Sequence, residues 1–203
     1  MKHTAFNDIY MTYDEIRQPV TQQLTQFLDI WKRADKKEFF IELIFCLLTP
    51  QTSALQAHKA VNLLLEKSIL FSANAVTLSN HLNIVRFKNN KAKYIVEARE
   101  KYWSGEGLNK VLYQLKDDFQ RRDWLVSNVK GFGMKEASHY LRNIGCFKNL
   151  AILDRHILRK LEAYKVIDSY PASLSKKVCI SIEEKMIEFS SFLKIPMEYL
   201  DYI

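Results

Sequence analysis

Glycine, proline and cysteine are all scarce in this sequence. It contains five glycines, four prolines and three cysteines among 203 residues. The cysteines lie far apart and none belongs to a Cys-x-x-Cys pair, which excludes a disulfide framework, a zinc site and a four-cysteine iron–sulfur cluster. We therefore expect the protein to work in a reducing compartment such as the cytoplasm.

Long hydrophobic runs are also missing. The longest uninterrupted apolar run, Leu43–Leu48, is far too short to span a bilayer. The first residues, Met1–Phe6, lack the apolar core of a signal peptide. We expect a protein without a membrane partner, acting as a monomer.

Basic residues outnumber acidic ones. The formal net charge is +7, from 30 lysines and arginines against 23 aspartates and glutamates. Such an excess suggests a polyanionic partner, although solubility alone is the ordinary explanation. Six basic residues fall within 86–101, interleaved with aromatic ones, a run typical of either a solvated helix face or a phosphate-binding surface. Arg86 and Lys91 are the candidates for DNA contact in this run.

Helical periodicity covers most of the chain. Apolar spacing predicts helices at residues 14–32, 38–48, 54–67, 91–103, 109–119, 154–164 and 175–192, a short segment around 73–80 and a last turn after Pro196. We find no sustained strand alternation, no internal repeat and no low-complexity segment. The prediction is an all-α fold of roughly ten helices joined by short loops.

Two of the five glycines, Gly131 and Gly133, flank Phe132. Apolar residues at helical spacing precede this pair in 123–129 and follow it in 137–144, which predicts a helix, a tight hairpin and a second helix. The backbone amides of such a turn, together with the N-terminus of the next helix, form an anion-binding concavity. We expect the hairpin to bind a DNA phosphate.

Lys135 and Asp154 are the two residues with the strongest chemical interest. Lys135 falls in the first turn of the second helix, where the helix field opposes a cation and favours the neutral amine that a nucleophile needs. Asp154 follows four apolar residues, so its carboxylate emerges from a buried segment. An exposed lysine and a helix N-cap are the ordinary alternatives. Facing each other across a cleft, the carboxylate would stabilise an oxocarbenium-like sugar and accept a proton from the amine.

Gln51 follows a buried helix and a proline, where most glutamines are surface or capping groups. The alternative is a polar wedge that fills the space left in a duplex by an extruded base. His139 and His156 have no partner at helical ligand spacing, so no metal site is predicted. The candidates for sandwiching a base, each more often a core residue, are Phe87, Trp103, Met134 and Tyr199.

Several of these segments resemble one family of DNA repair enzymes. Residues 129–141 resemble the hairpin of the helix-hairpin-helix-GPD superfamily of DNA glycosylases, and Leu153–His156 is similar to its downstream aspartate segment. Phe45–Thr52 is similar to its early Leu-Leu-x-x-Gln-Thr element. Lys135–Gly145, and Arg86-Phe87 followed by Asn90–Ile95, resemble the type 2 8-oxoguanine DNA glycosylase/AP lyases of prokaryotes.

The resemblance implies a two-lobed all-α fold with the active site in the cleft between the lobes. One lobe would combine residues 1–30 with 149–203, and the other would be a six-helix lobe of residues 31–148 that contains the helix-hairpin-helix. Lys135 would be the Schiff-base nucleophile, Asp154 the catalytic carboxylate and Gln51 the duplex-filling residue. Gly131 and Gly133 would give hairpin amides to a phosphate. No cofactor is implied, apart from a monovalent cation held by hairpin carbonyls.

The implied function is removal of 8-oxoguanine from double-stranded DNA, followed by strand cleavage through β-elimination. The missing four-cysteine cluster separates the chain from endonuclease III. Type 2 members run on to a terminal lysine that holds the damaged base, whereas this sequence stops at Ile203, so either it is shortened or the base is held differently. Two alternatives stay open: a glycosylase for an oxidised pyrimidine or alkylated purine, and a helix-hairpin-helix module that binds DNA without catalysis.

Overall fold

The computed structural model describes residues 6–203, and within that range it contains helices and no strand. The all-α prediction is therefore confirmed. The helices are α1 (Asn7–Arg33), α2 (Lys36–Leu48), α3 (Ala54–Glu66), α4 (Ala75–His81), α5 (Lys88–Ala98), α6 (Leu108–Tyr113), α7 (Asp118–Asn128), α8 (Met134–Asn143), α9 (Arg155–Ala163), α10 (Lys176–Leu193) and α11 (Met197–Leu200). A π-helical turn, Arg99–Trp103, extends α5.

Two of the predicted helices differ substantially in their bounds from the structure. The continuous helix predicted at 109–119 is wrong, because α6 ends at Tyr113 and α7 begins only at Asp118. The break is fixed by Asp117, whose carboxylate accepts a hydrogen bond from the Gln120 amide at 2.8 Å and so caps a new helix. The first helix begins seven residues earlier than the predicted position 14, and its early residue Ile9 is buried.

The buried apolar residues form two clusters. The larger cluster is drawn from residues 39–150, and the smaller one combines Ile9 with residues between 151 and 200. Helix α1 contributes residues to both clusters. Its start packs in the smaller cluster, and Ile30 and Trp31 pack against the larger one. The lobe boundaries drawn at 30/31 and 148/149 stay a prediction.

A buried ion pair crosses from one cluster to the other. Arg122 of α7 donates two hydrogen bonds to the Glu183 carboxylate of α10, at 2.6 and 2.8 Å. Glu183 also accepts from the Ala151 amide at 2.6 Å. This pair ties the helix before the hairpin to α10 of the smaller cluster, and it lies beside the cavity described below.

No helix within residues 6–203 is both long enough and apolar enough to cross a membrane.

Candidate active site

The hairpin between α7 and α8 is built as its glycines predict. Gly131 has φ +94°, and a Cβ atom there would lie 2.7 Å from the Tyr94 ring, so both the backbone and the available space require glycine. Phe132 is buried and anchors the hairpin, its amide donating to the Val129 carbonyl at 3.1 Å. The hairpin is therefore held rigidly at the start of α8.

Glu136 connects the hairpin to Lys135. Its Oε2 accepts a hydrogen bond from the Gly133 amide at 3.1 Å, and its Oε1 lies 2.9 Å from the Lys135 ammonium. A phosphate that binds the Gly133 amide must displace this carboxylate. Displacement would at the same time release Lys135 from its ion pair.

Lys135 lines two cavities. We call the first the inner cavity: it has a volume of about 310 Å³ and is walled by apolar side chains that include Met134, Leu153 and Cys179. The buried pair of Arg122 and Glu183 also borders it. We call the second the polar cavity: it has a volume of about 330 Å³, and besides Lys135 its wall includes His139, Arg142, Asp154, Asp201 and Tyr202. Lys135 thus borders both an apolar and a polar space.

Asp154 reaches the polar cavity from the start of α9. Its Oδ1 accepts hydrogen bonds from the amides of His156 and Ile157, at 2.8 and 2.9 Å. The carboxylate caps the helix and Asp154 also lines the cavity, so the capping role does not exclude the predicted chemical one. The structure brings Lys135 and Asp154, which were predicted to face each other, to one cavity.

Further residues of α8 line the same cavity. His139 and Arg142 follow Lys135 by four and seven positions, so all three occupy one helix face. Burial, with the charges of Arg142 and Lys135, lowers the pKa of His139 to about 3. The imidazole is therefore neutral at physiological pH. Sequence reasoning missed both residues, although their helical spacing from Lys135 was a usable signal.

Asp201 and Tyr202 enter the polar cavity from the end of the chain, and sequence reasoning missed them as well. The Asp201 side chain is 6% exposed, and its nearest cation is Arg142 at 3.8 Å. Burial raises the pKa of Asp201 to about 7, while Arg142 opposes that rise. No local pattern marks these residues, because only the folding of α11 against α1 and α10 brings them to the site.

Lys91 corrects one prediction. Its side chain is buried, and the ammonium donates hydrogen bonds to the Leu48 and Pro50 carbonyls at 2.7 Å and to the Thr52 hydroxyl at 3.2 Å. Burial, with the charge of Lys135, lowers the Lys91 pKa to about 8. An ammonium engaged in this way supports the loop that carries Gln51 and is not exposed to contact a phosphate.

Gln51, Arg86 and Phe87 form an exposed surface beside the hairpin. Gln51 and Phe87 have φ of 54° and 57°, an uncommon conformation for these residue types, at the tips of two loops. The loops are joined, since the Arg86 amide donates to the Thr52 hydroxyl at 3.2 Å. Phe87 is 56% exposed and borders a groove that also includes Gly131. Phe87 therefore belongs to this surface and not to the cavities at Lys135.

The other three candidates for a base pocket lie in different parts of the structure. Tyr199 hydrogen-bonds the Thr21 hydroxyl at 2.7 Å and packs edge-on against Tyr13, so it lies against α1 and lines neither cavity. This corrects its assignment to a base pocket. Trp103 packs against Phe71 in the larger cluster, with ring centroids 4.5 Å apart. Met134 is the one of the four that lines a cavity with Lys135.

Comparison with known proteins accounts for this arrangement. A family model described as 8-oxoguanine DNA glycosylase matches residues 20–195. The chain belongs to this family. A relative from Fusobacterium nucleatum, an 8-oxoguanine DNA glycosylase/AP lyase, is 44% identical over 204 residues, which cover 100% of this chain and 94% of the relative. Another from Sulfolobus acidocaldarius is 32% identical, covering 93% and 90% of the two chains.

Solved structures of family members have the same fold. The 8-oxoguanine DNA glycosylase of Thermotoga maritima superposes with a TM-score of 0.84 at 30% identity, covering 97% of this chain and 93% of that one. The Methanocaldococcus jannaschii 8-oxoguanine glycosylase/lyase, in complex with DNA containing 8-oxoguanine, gives a TM-score of 0.83 at 27% identity, covering 95% and 93%. The helix-hairpin-helix glycosylase fold predicted from the sequence is confirmed.

A metal site was not predicted, and residues 6–203 contain no group of three or more His, Cys, Asp or Glu side chains placed to hold a metal ion. Whether hairpin carbonyls bind a monovalent cation stays a prediction.

Proposed function

We propose that this protein excises 8-oxoguanine from double-stranded DNA and then cleaves the strand as an AP lyase. Membership of the 8-oxoguanine DNA glycosylase family supports this activity, as do relatives that carry both activities in their names. The observation that carries the chemistry is the position of Lys135, which opens into a cavity shared with Asp154 directly after a rigid hairpin.

The hairpin and the exposed loops hold the duplex. The backbone amides around Gly131 and Gly133 bind a phosphate. Arg86 and Phe87 contact the duplex beside the hairpin. Gln51, in its exposed loop, fills the space of the extruded base. Because phosphate contacts dominate such binding, affinity falls steeply as salt concentration rises. One chain acts on one lesion, as a monomer.

Lys135 carries out the chemical step. Once the phosphate has displaced Glu136, the Lys135 amine attacks C1′ of the damaged nucleotide and forms a C–N bond. The C1′–N9 bond breaks, and its electron pair leaves with the base, which takes up a proton. The Asp154 carboxylate stabilises the positive charge that develops on the sugar and accepts the proton lost by the amine.

Strand cleavage follows from the covalent intermediate. Opening of the sugar ring gives a Schiff base between Lys135 and C1′. The imine acidifies the hydrogens at C2′, so a proton leaves C2′ and the C3′–O3′ bond breaks. The strand is thereby cut on the 3′ side of the lesion, and hydrolysis of the imine releases the enzyme.

A panel of lesion duplexes tests this function. We expect wild-type protein to nick a duplex containing 8-oxoguanine faster than duplexes containing an oxidised pyrimidine or an alkylated purine. Lys135→Gln should abolish cleavage, and Asp154→Asn should slow it strongly while keeping the helix cap, since asparagine caps as well as aspartate. If the protein nicks another lesion faster, that lesion and not 8-oxoguanine is its substrate. Full activity of Lys135→Gln would refute the catalytic assignment.

A monovalent cation at the hairpin carbonyls would strengthen phosphate binding. Equal affinity for the same duplex in potassium and in tetramethylammonium chloride, at matched ionic strength, would exclude this role.

A further inference from the structure

Glu136 is the carboxylate that pairs with the Lys135 ammonium. Its Oε1 lies 2.9 Å from the lysine Nζ, and no other carboxylate within residues 6–203 forms an ion pair with this lysine. Asp154 lines the same cavity, but one of its oxygens is engaged by two amides of α9. A nucleophilic amine needs a free electron pair, so the ammonium must first lose a proton. The structure therefore places Glu136 closest to that proton.

The contact between these two neighbours depends on the hairpin. Adjacent residues of a helix point in different directions and do not usually meet. Here the Glu136 side chain turns back over the start of α8, because its Oε2 accepts a hydrogen bond from the Gly133 amide at 3.1 Å. That bond brings Oε1 to Lys135. The two side chains are only 14% and 27% exposed, so the pair is held in a largely buried position.

A DNA phosphate at the hairpin changes the environment of this pair. When the phosphate takes the Gly133 amide, the Glu136 carboxylate loses its hydrogen bond and lies beside a second negative charge. Both changes disfavour the charged form of a carboxyl group. A proton taken from Lys135, whose nitrogen is 2.9 Å away, removes that charge and leaves the net charge of the pair unchanged. Phosphate binding and formation of a neutral amine are thereby coupled.

We propose that Glu136 is the base that takes a proton from the Lys135 ammonium when a DNA phosphate replaces it at the Gly133 amide. An N–H bond of the ammonium breaks, its electron pair stays on nitrogen, and an O–H bond forms on Glu136. Asp154 accepts the second proton, which the nitrogen loses only after its bond to C1′ has formed. Glu136 returns its own proton to water when the DNA leaves.

This inference rests on the proposed function, because it names the proton acceptor for the same nucleophile. It divides the acid–base work between two carboxylates. Glu136 prepares the amine before attack, and Asp154 acts during and after attack.

Other titratable and charged groups face the pair from several elements. Around the inner cavity and on α5 they are Lys91, Arg122, Cys179 and Glu183. Around the polar cavity they are His139, Arg142, Asp154, Asp201 and Tyr202. Burial lowers the pKa of Lys91 to about 8 and raises that of Asp201 to about 7, so both titrate near neutral pH. A test that uses pH must therefore compare each variant with wild type at the same pH.

Glu136→Gln in the full chain provides the test, because glutamine can still accept from the Gly133 amide but cannot take a proton. Under single-turnover conditions at about pH 7, we expect excision of 8-oxoguanine and cleavage at an abasic site both to slow about tenfold or more. Both reactions need a neutral lysine. As pH rises towards about 9, the ratio of wild-type to variant rate should fall by up to about tenfold per pH unit, since hydroxide then deprotonates the lysine.

Two further measurements separate proton transfer from binding and folding. Affinity for the duplex, measured by fluorescence anisotropy, should not weaken in Glu136→Gln, because a carboxylate that competes with the phosphate is gone. Glu188→Gln, altered at an exposed position of α10, is the matched control and should equal wild type at every pH.

The outcomes separate this inference from the proposed function. Unchanged rates in Glu136→Gln, or slowing by the same factor at every pH, would overturn the role as a base while the proposed function stands. If Glu136→Gln melts at a much lower temperature, Glu136→Ala decides by the same pH criterion, since alanine removes the carboxylate and favours the helix. A wild-type protein inactive on both duplexes would overturn the proposed function and, with it, this inference.

Discussion

At the scale of single residues, two lysines of this chain lie in opposite environments. Lys135 opens into two cavities, whereas Lys91 is buried and has all its hydrogen bonds inside the protein. The sequence indicated where Lys135 lies, because the hairpin glycines and the helix start fix its position, whereas its role as the nucleophile stays a prediction. The burial of Lys91 could not be predicted, because a basic run indicates an exposed surface. Its ammonium is buried by carbonyls of the α2–α3 loop, which lies far away in the sequence.

Lys91→Met should lower the free energy of unfolding by roughly 2–4 kcal/mol, because it leaves buried acceptors at Leu48, Pro50 and Thr52 without donors. Urea denaturation measures this. Lys93→Met, two positions away and exposed, is the control and should change stability by less than about 0.5 kcal/mol. Equal effects of the two substitutions would contradict the structural role of Lys91.

At the scale of elements, the hairpin between α7 and α8 was the most predictable part of the molecule. Two closely spaced glycines between helical runs specify it locally, and Gly131 adopts the positive φ that such a turn requires. The boundary between α6 and α7 was not predictable from apolar spacing, because the periodicity continues through the break. There the cap at Asp117, and not the apolar pattern, decides where the helix restarts.

The two hairpin glycines should respond differently to alanine. Gly131→Ala forces a positive φ on alanine, costing about 1–2 kcal/mol, and pushes Cβ into the Tyr94 ring. Gly133 has an ordinary φ of −108°, and a Cβ there meets only the carboxylate at the end of the Glu136 side chain, at 3.2 Å. Gly131→Ala should therefore lose more stability and more DNA affinity than Gly133→Ala, as measured by urea denaturation and fluorescence anisotropy. The reverse order would contradict the hairpin geometry.

At the scale of the whole molecule, the site depends on contacts distant in sequence. The polar cavity joins α8 and the start of α9 to Asp201 and Tyr202 near the chain's end. The helix-hairpin-helix and its downstream aspartate lie close in the chain and were foreseen. The residues after α11 were not, because their position depends on how the smaller cluster packs around α10.

Substitutions at Arg122 and Glu183 test how strongly the stability of the protein depends on the ion pair between the two clusters. Arg122→Met leaves the buried Glu183 carboxylate without its cation and should destabilise the protein by about 3–5 kcal/mol. A double variant, Arg122→Met with Glu183→Met, should recover part of that loss because no charge is left buried. Thermal and urea unfolding of the single and double variants measure both effects. A double variant less stable than the sum of its single substitutions would contradict this account.

The central claim is that Lys135 forms the covalent bond to DNA, and borohydride trapping tests it most directly. Full-length protein is incubated with a duplex containing one 8-oxoguanine, the imine is reduced, and the digested complex is mapped by mass spectrometry. Lys110→Gln, altered at an exposed position on α6, serves as the control and should trap normally. The predicted result is a single adduct on Lys135, lost in Lys135→Gln. An adduct on another lysine, or undiminished trapping by Lys135→Gln, would contradict the account.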